Sequence, residues 1–157
     1  MEEYVETLLI KLCDSENITK ENFQAEKAEV EFSGDGNIHL LNGTASIMEI
    51  NHSGSGNINV KNCNAENINV DFSGDGNISF QNGTVSNLNI EHSGSGNINT
   101  ENIHIKNVKI QFSGDGDIKL SLVDEITGEH SGSGNIYYMG NPIINLKFSG
   151  DGEIKKI

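Results

Sequence analysis

The chain has no arginine and no tryptophan, one proline and two cysteines in 157 residues. Its ten lysines stand against 23 acidic side chains, for a net charge of −13. Binding phosphates takes a basic stripe, so this balance argues against a nucleic-acid partner. It also disfavours an anionic membrane surface. No apolar run is long enough to cross a bilayer, so membrane insertion is not expected. The opening Met1-Glu2-Glu3-Tyr4 is acidic and lacks the basic-then-apolar layout of a signal peptide. The expected compartment is therefore the cell surface or the medium if an export signal has been removed, and the cytoplasm otherwise. Cys13 and Cys63 make no disulfide framework. Hydrophobic residues are 34% of the chain, few for a broad globular core but enough for a narrow one.

What the chain has instead is 18 glycines, 22 asparagines and a repeated phrase. Ser33-Gly34-Asp35-Gly36-Asn37-Ile38 returns at Ser53, Ser73, Ser93, Ser113, Ser131 and Ser149. The successive spacings are 20, 20, 20, 20, 18 and 18 residues, and Asp117 and Glu153 replace the Asn in two copies. A period of this length marks a repeat architecture in which each unit buries its apolar face against its neighbours. The chain reads as one domain: a capping strand and degenerate repeat over 1–32, six repeats over 33–148 and a partial repeat over 149–157. At the start, Val5, Leu8, Leu9 and Leu12 have helical spacing, while Leu8, Ile10 and Leu12 alternate as in a strand. The strand is favoured because its register continues into the repeats.

Within each full repeat, Ile38 and Leu40, and their equivalents Ile58 and Val60, point one way with period two. Asn42, Asn62, Asn82 and Asn102 then form a column, preceded by Asn22. A middle turn is expected at Asn42-Gly43 and Asn82-Gly83, and a second strand through Met48-Ile50-His52 and its equivalents. The Ser-Gly-X-Gly turn closes the unit, with glycine expected there for positive φ. Two strands and two turns per 20 residues predict parallel stacking, an all-β, right-handed parallel β-helix (β-solenoid) of 18–20-residue repeats. The two residues lost from the last units are expected to come from the middle turn. About eight coils at roughly 4.8 Å each would make a rod about 38 Å long.

The repeats also alternate. Phe32, Phe72, Phe112 and Phe148 precede a motif with Asp in its third position (Asp35, Asp75, Asp115, Asp151). His52, His92 and His130 precede a motif with Ser there (Ser55, Ser95, Ser133). Either a 20-residue coil alternates large and small side chains between layers, or a 40-residue coil stacks like on like. The first is favoured, and it keeps the Asp residues two layers, about 9.6 Å, apart.

The Ser-Gly-Ser/Asp-Gly-Asn-Ile run, the apolar alternation before each copy and the tail Gly132-Ser133-Gly134-Asn135-Ile136-Tyr137-Tyr138-Met139-Gly140-Asn141-Pro142 resemble the head GIN domain family of putative auto-transporter adhesins. The resemblance spans about residues 13–157, and the tail is its most specific part. It implies a parallel β-helix, usually in exported or lipid-anchored bacterial proteins, and brings no catalytic residues to transfer.

Three columns bear on chemistry. Asp35, Asp75, Asp115 and Asp151 sit in glycine-rich turns, where stacked oxygen ligands can hold Ca²⁺. The plainer expectation is that Asp and Ser bond their own turn backbone. His52, His92 and His130 suggest metal or acid–base work, but their alternation with Phe points to a shared packing position. The Asn22–Asn102 column is expected to form an amide ladder, and Cys63 reads as a small buried hydrophobe. No Ser-His-Asp spacing, phosphate loop or zinc signature appears, so no catalytic residue, cofactor or metal is assigned. The expected function is a non-catalytic, adhesin-like interaction module for a polysaccharide or protein. One alternative is a scaffold that assembles through its ends as a homo-oligomer, with Glu2, Glu3 and Glu6 at one end and Lys155 and Lys156 at the other. The other is a polysaccharide-active enzyme using Asp75 or Asp115, disfavoured because no insertion loops build a cleft.

Overall fold

Alternating Ile, Val and Phe require one buried face, and each coil of this chain meets that requirement only by lying against the next. A computed structural model describes residues 4–157, and all its regular structure is β. The strands are β1 (Tyr4–Leu12), β2 (Ile18–Phe32), β3 (Ile38–His52), β4 (Ile58–Phe72), β5 (Ile78–His92), β6 (Ile98–Phe112), β7 (Ile118–His130), β8 (Ile136–Met139), β9 (Ile143–Phe148) and β10 (Ile154–Lys156). They form one sheet in chain order from β1 to β8, with β10 on β8 and β9 on β7. Every pairing is parallel. The chain is thus a β-solenoid of about eight turns. The N-terminal segment is a strand, not a helix: Leu8, Ile10 and Leu12 pair with Ala28, Val30 and Phe32.

Ile38 pairs with Ile58, Ile58 with Ile78 and Ile78 with Ile98, so one coil holds one repeat and the doubled coil is ruled out. Two sequence expectations need correction. First, each full coil is one strand of 15 residues rather than two strands around a turn. Pairing runs from Asn42 with Asn62 to Ala45 with Ala65. The Asn-Gly pairs mark a packing alternation in the column Phe23, Gly43, Cys63, Gly83 and Ile103. Phe23, Cys63 and Ile103 are buried there. A Cβ on Gly43 would run into the Phe23 ring, so a large side chain in one layer demands glycine in the next.

Second, the motif glycines do not serve positive φ. Among the described residues, φ is positive at Gly83, Gly128 and Gly140 only. The motif glycines are needed because the turns stack backbone on backbone. A Cβ on Gly56 would land on the carbonyl oxygen of Gly36, and one on Gly76 on that of Gly56. This lets Ser55 N donate to Gly34 O at 3.1 Å, and Asp75 N to Gly54 O at 3.1 Å.

The interior is one continuous core from Ile10 to Ile136. Its spine is Ile38, Ile58, Ile78, Ile98, Ile118 and Ile136, each wholly buried. Burying one such side chain is worth about 1.5–3 kcal/mol. The shortened coils lose their residues where the sequence suggested. Asn99 pairs with Lys119 but His104 pairs with Leu122, a register shift of two. Thr100 and Ser121 are buried at this shift with their bonds made: Ser121 N donates to Thr100 Oγ1 at 3.1 Å, Thr100 Oγ1 to Lys119 O at 3.2 Å and Ser121 Oγ to Ile103 O at 3.0 Å.

Candidate functional site

The turn edge carries the Asp column, and its partners are not those expected. Ser55 Oγ donates to Asp35, Ser95 Oγ to Asp75 at 2.5 Å, and Ser133 Oγ to Asp115. Asp and Ser therefore bond across coils and not to their own turns. Own-turn bonding occurs in the degenerate first repeat, where Glu16 N donates to Asp14 Oδ1 at 3.0 Å. Asp35, Asp75, Asp115 and Asp151 stand in alternate coils, all exposed, with a serine between successive members. The column brings no two of the carboxylates into adjacent layers.

The His column lies inside. Phe32, His52, Phe72, His92, Phe112, His130 and Phe148 form one stack with ring centroids 4.5–5.2 Å apart. A phenylalanine separates each histidine from the next. His52, His92 and His130 are buried, and each donates Nε2–H to the carbonyl of the glycine four residues on, at 2.7–2.8 Å. Burial lowers the pKa of His52 and His92, partly offset by the carbonyls of Gly56 and Gly96. Among the described residues, no three His, Cys, Asp or Glu side chains gather as ligands for one ion. Burial pushes the Cys63 thiol up to about 12, which leaves it a packing residue.

Asparagine forms more ladders than the sequence suggested. In the expected column, Asn42 donates to Asn22 at 2.8 Å and Asn62 to Asn42 at 2.6 Å, but Asn82 turns to the backbone of Lys61. The longest ladder runs through the motif asparagines. Asn57 Nδ2 donates to Asn37 Oδ1 at 3.1 Å, and the Asn57 backbone N–H reaches the same oxygen at 3.0 Å. Asn37, Asn77 and Asn97 repeat this pattern, and the backbone bond continues through Asp117, Asn135 and Glu153. The signal for it is the Asn at the fifth position of the Ser motif, which within one repeat reads as turn chemistry. Further ladders join Asn67, Asn87 and Asn107, and Asn69 with Asn89.

The last of these, Asn69 with Asn89, belongs to a face that sequence reasoning missed. The outward residues of β3 to β7 form columns along the solenoid axis, and two grooves of about 440 Å³ each run between them. Asp71, Glu91 and Gln111 are the ridge common to both. On one side the far wall is Ser93, Ser113 and Ser131, with His92 and Phe112 in the floor. On the other it is Glu49, Asn69, Asn89 and Lys109, with Val70 and Ile90 beneath. Glu49 and Glu129, toward the two ends of this face, pair with Lys27 at 2.9 Å and Lys147 at 3.7 Å. Equivalent outward positions in successive repeats carry the signal, but polar alternation in a strand reads only as a solvated face.

A different surface lies where the coils shorten. His104 Nε2 is 3.2 Å from Asp124 Oδ1, both well exposed, beside Leu122, Met139 and Ile143. The end-charge expectation finds Lys155 paired with Glu153 at 2.7 Å and Lys156 donating to Asn141 at 2.7 Å. Glu6 is exposed on β1, while Glu2 and Glu3 lie outside the described residues.

The family model described as "Putative auto-transporter adhesin, head GIN domain" matches residues 4–81 and again 70–142, and the chain belongs to that family. No curated protein and no solved structure matches the chain.

Proposed function

We propose that this member of the head GIN domain family is a non-catalytic, adhesin-like module that holds an extended ligand along its grooved face. The observation that carries this reading is the pair of parallel grooves flanking Asp71, Glu91 and Gln111. Their walls repeat with the coil, about 4.8 Å per layer, which suits a polymer better than a single small molecule. Their lining is rich in carboxylate and amide oxygen, which suits neutral or amino-sugar chains and basic peptide segments over anionic ones. The Asn69–Asn89 amide bond fixes part of one wall before any ligand arrives, which lowers the ordering cost at binding. The family's description points the same way.

The test is a glycan array probed with the purified protein, once with calcium and once with a chelator. Binding is expected to neutral or amino-sugar polymers, to weaken in Asp71→Ala and Glu91→Ala, and to persist in Thr84→Ala on another face. Binding that ignores the first two substitutions, or no binding at all, overturns the reading. Loss with chelator alone would move the site to the Asp35, Asp75, Asp115 and Asp151 edge.

A second reading, assembly of copies end to end, is favoured by the exposed Ile143, Ile144 and Phe148 at one end. Against it, in-register stacking would set Lys147 of one copy over Lys11 of the next, since both belong to the column of Glu31 and Glu129. Sedimentation over a rising concentration series separates the two, a single unchanging species removing assembly.

A further inference from the structure

Among the described residues, the buried side chains able to take up a proton near neutral pH are His52, His92 and His130. Their surroundings are alike. Each Nε2 faces the carbonyl oxygen of Gly56, Gly96 or Gly134 at 2.8, 2.8 and 2.7 Å. A carbonyl only accepts, so Nε2 carries the ring proton and Nδ1 is bare. All three Nδ1 atoms are buried and without a hydrogen-bond partner. In the first two rings Nδ1 abuts the glycine of the next coil: a Cβ on Gly74 or Gly114 would lie 2.5 Å from it. Above His130, a Cβ on Gly152 would lie 2.7 Å from Nε2, so that turn too is pressed against the ring. Phenylalanine rings close the remaining faces.

We propose that His52 and His92 are an acid-sensitive release built into the rod: a proton on Nδ1 is accommodated only when the glycine turn stacked on it comes apart. The acceptor nearest such a proton is the residue's own carbonyl, which already takes an N–H from the next coil and whose help to the charged ring is outweighed by the cost of desolvating it. Ser73 N donates to His52 O at 2.9 Å, Ser113 N to His92 O at 2.8 Å and Ser149 N to His130 O at 2.9 Å. The charged groups on the packed elements all point outward. They are Glu31, Asp35, Asp71 and Asp75 around His52, and Asp71, Asp75, Glu91 and Asp115 around His92. Around His130 they are Asp115, Glu129, Lys147 and Asp151. None of them hydrogen-bonds a ring, so no carboxylate stabilises the imidazolium. The lowered pKa of His52 and His92, caused first by desolvation, agrees in direction.

The sign follows from linkage. A histidine released into the unfolded chain titrates near its ordinary value of about 6.5, while the folded ring resists protonation. Stability is therefore full above about pH 6.5 and falls as pH drops below it toward the folded pKa. Each ring raises the unfolding constant by up to about tenfold per pH unit in that window, hence up to about 100-fold for His52 and His92 together.

The experiment is denaturant unfolding of the 157-residue chain from pH 7.5 to 5.0, beside H52F/H92F. Phenylalanine is the replacement the chain itself uses in alternate coils, and His39, His104 and His130 remain in both proteins. Between pH 6 and 5, the wild-type unfolding constant is expected to rise at least about thirtyfold relative to the variant. A ratio constant within about threefold overturns the proposal. Should the variant not fold, ¹⁵N imidazole spectra of the wild type decide alone. His52 and His92 with bare Nδ1 in folded protein at pH 5.5 are expected, and these two rings titrating near 6.5 with the rod intact overturn it.

Discussion

The middle of the rod and its C-terminal part are built from one phrase yet packed differently. From β3 to β6 every strand has 15 residues. Between these strands the paired residues sit one repeat apart without a register shift, and the Ile spine and the ring column are buried. Past Phe112 the strands shorten to 13, then 4 and 6, then 3 residues. Leu122, Met139, Ile143, Ile144 and Phe148 become exposed there. Removing two residues from a coil shifts the register between Asn99 and His104 and sets Leu122 outward beside His104, whereas Ile144 and Phe148 lie over buried Ile126 and His130 and are exposed because no strand pairs beyond β9 among the described residues. The lesson is that the sequence period is itself a structural constraint. Full repeats in phase stack backbone, amide and ring columns together, while shortened ones keep the glycine turn, the Ile spine and the ring stack in line and lose the columns between Asn99 and His104.

On that account the same kind of substitution should hurt the middle and spare the end. The largest contrast is at glycine. Gly76→Ala drives a Cβ onto the carbonyl of Gly56 beneath it, and neither backbone can yield without breaking the stack. A loss of more than about 3 kcal/mol, or failure to fold, is expected. Gly140 has a φ of 84° but nothing within 4 Å. Gly140→Ala should cost only the left-handed strain, about 1–2 kcal/mol. Denaturant midpoints check both, and equal losses would break the comparison.

Isoleucine comes next. Ile78→Ala opens a cavity in a wholly buried spine and is expected to cost about 2–5 kcal/mol. Ile143, 70% exposed at the frayed end, should lose less than about 0.5 kcal/mol as alanine. Thermal unfolding of the two variants side by side makes the measurement.

A third contrast concerns the ladders. Asn57→Ala removes one amide donor and the oxygen that takes both the Asn77 backbone N–H at 2.9 Å and its Nδ2 at 3.2 Å. About 2 kcal/mol should go, because the Asn77 N–H is left without its acceptor. Asn141, whose oxygen takes only the Lys156 ammonium on the surface, should lose less than about 0.5 kcal/mol. Hydrogen exchange at the Asn77 amide reads the ladder directly, and unchanged protection in Asn57→Ala would remove the ladder from the account.

How far these differences are legible in the sequence varies with the kind of signal. The solenoid is legible because a motif returning at near-constant spacing, with alternating apolar positions between copies, has few other solutions. The family is legible from the tail around Tyr137-Tyr138-Met139. The role of Gly43 is not: Asn-Gly is a strong turn signal locally, and only the coil beneath, with Phe23 in the same column, shows that glycine is clearing space. The motif glycines mislead in the same way, since sequence carries φ preferences but not which carbonyl lies one coil away. The grooved face is hidden because Asp71, Glu91 and Gln111 look like ordinary outward residues until the coils are stacked. Alternation with Phe does mark the histidine column as a packing position, but its bare Nδ1 atoms follow from rotamers that no spacing reveals.

At the residue that looked most like a site the expected effect has no fixed sign. Asp75 accepts the Ser95 hydroxyl at 2.5 Å across one layer, on an exposed edge where the chain carries a net charge of −13. Asp75→Asn keeps an acceptor oxygen for Ser95 while removing one negative charge from an acidic rod. The lost strength of a charge-assisted bond and the relieved repulsion oppose each other, so stability should change by less than about 1 kcal/mol in either direction. The more telling measurement is the melting temperature of the wild type with millimolar calcium and with chelator. With Asp35, Asp75 and Asp115 already engaged by serines from the coil above, no shift beyond a degree or so is expected. A rise of several degrees that disappears in Asp75→Asn would show that the cation displaces those hydroxyls. The turn edge would then outrank the grooved face as the place where this rod meets its ligand.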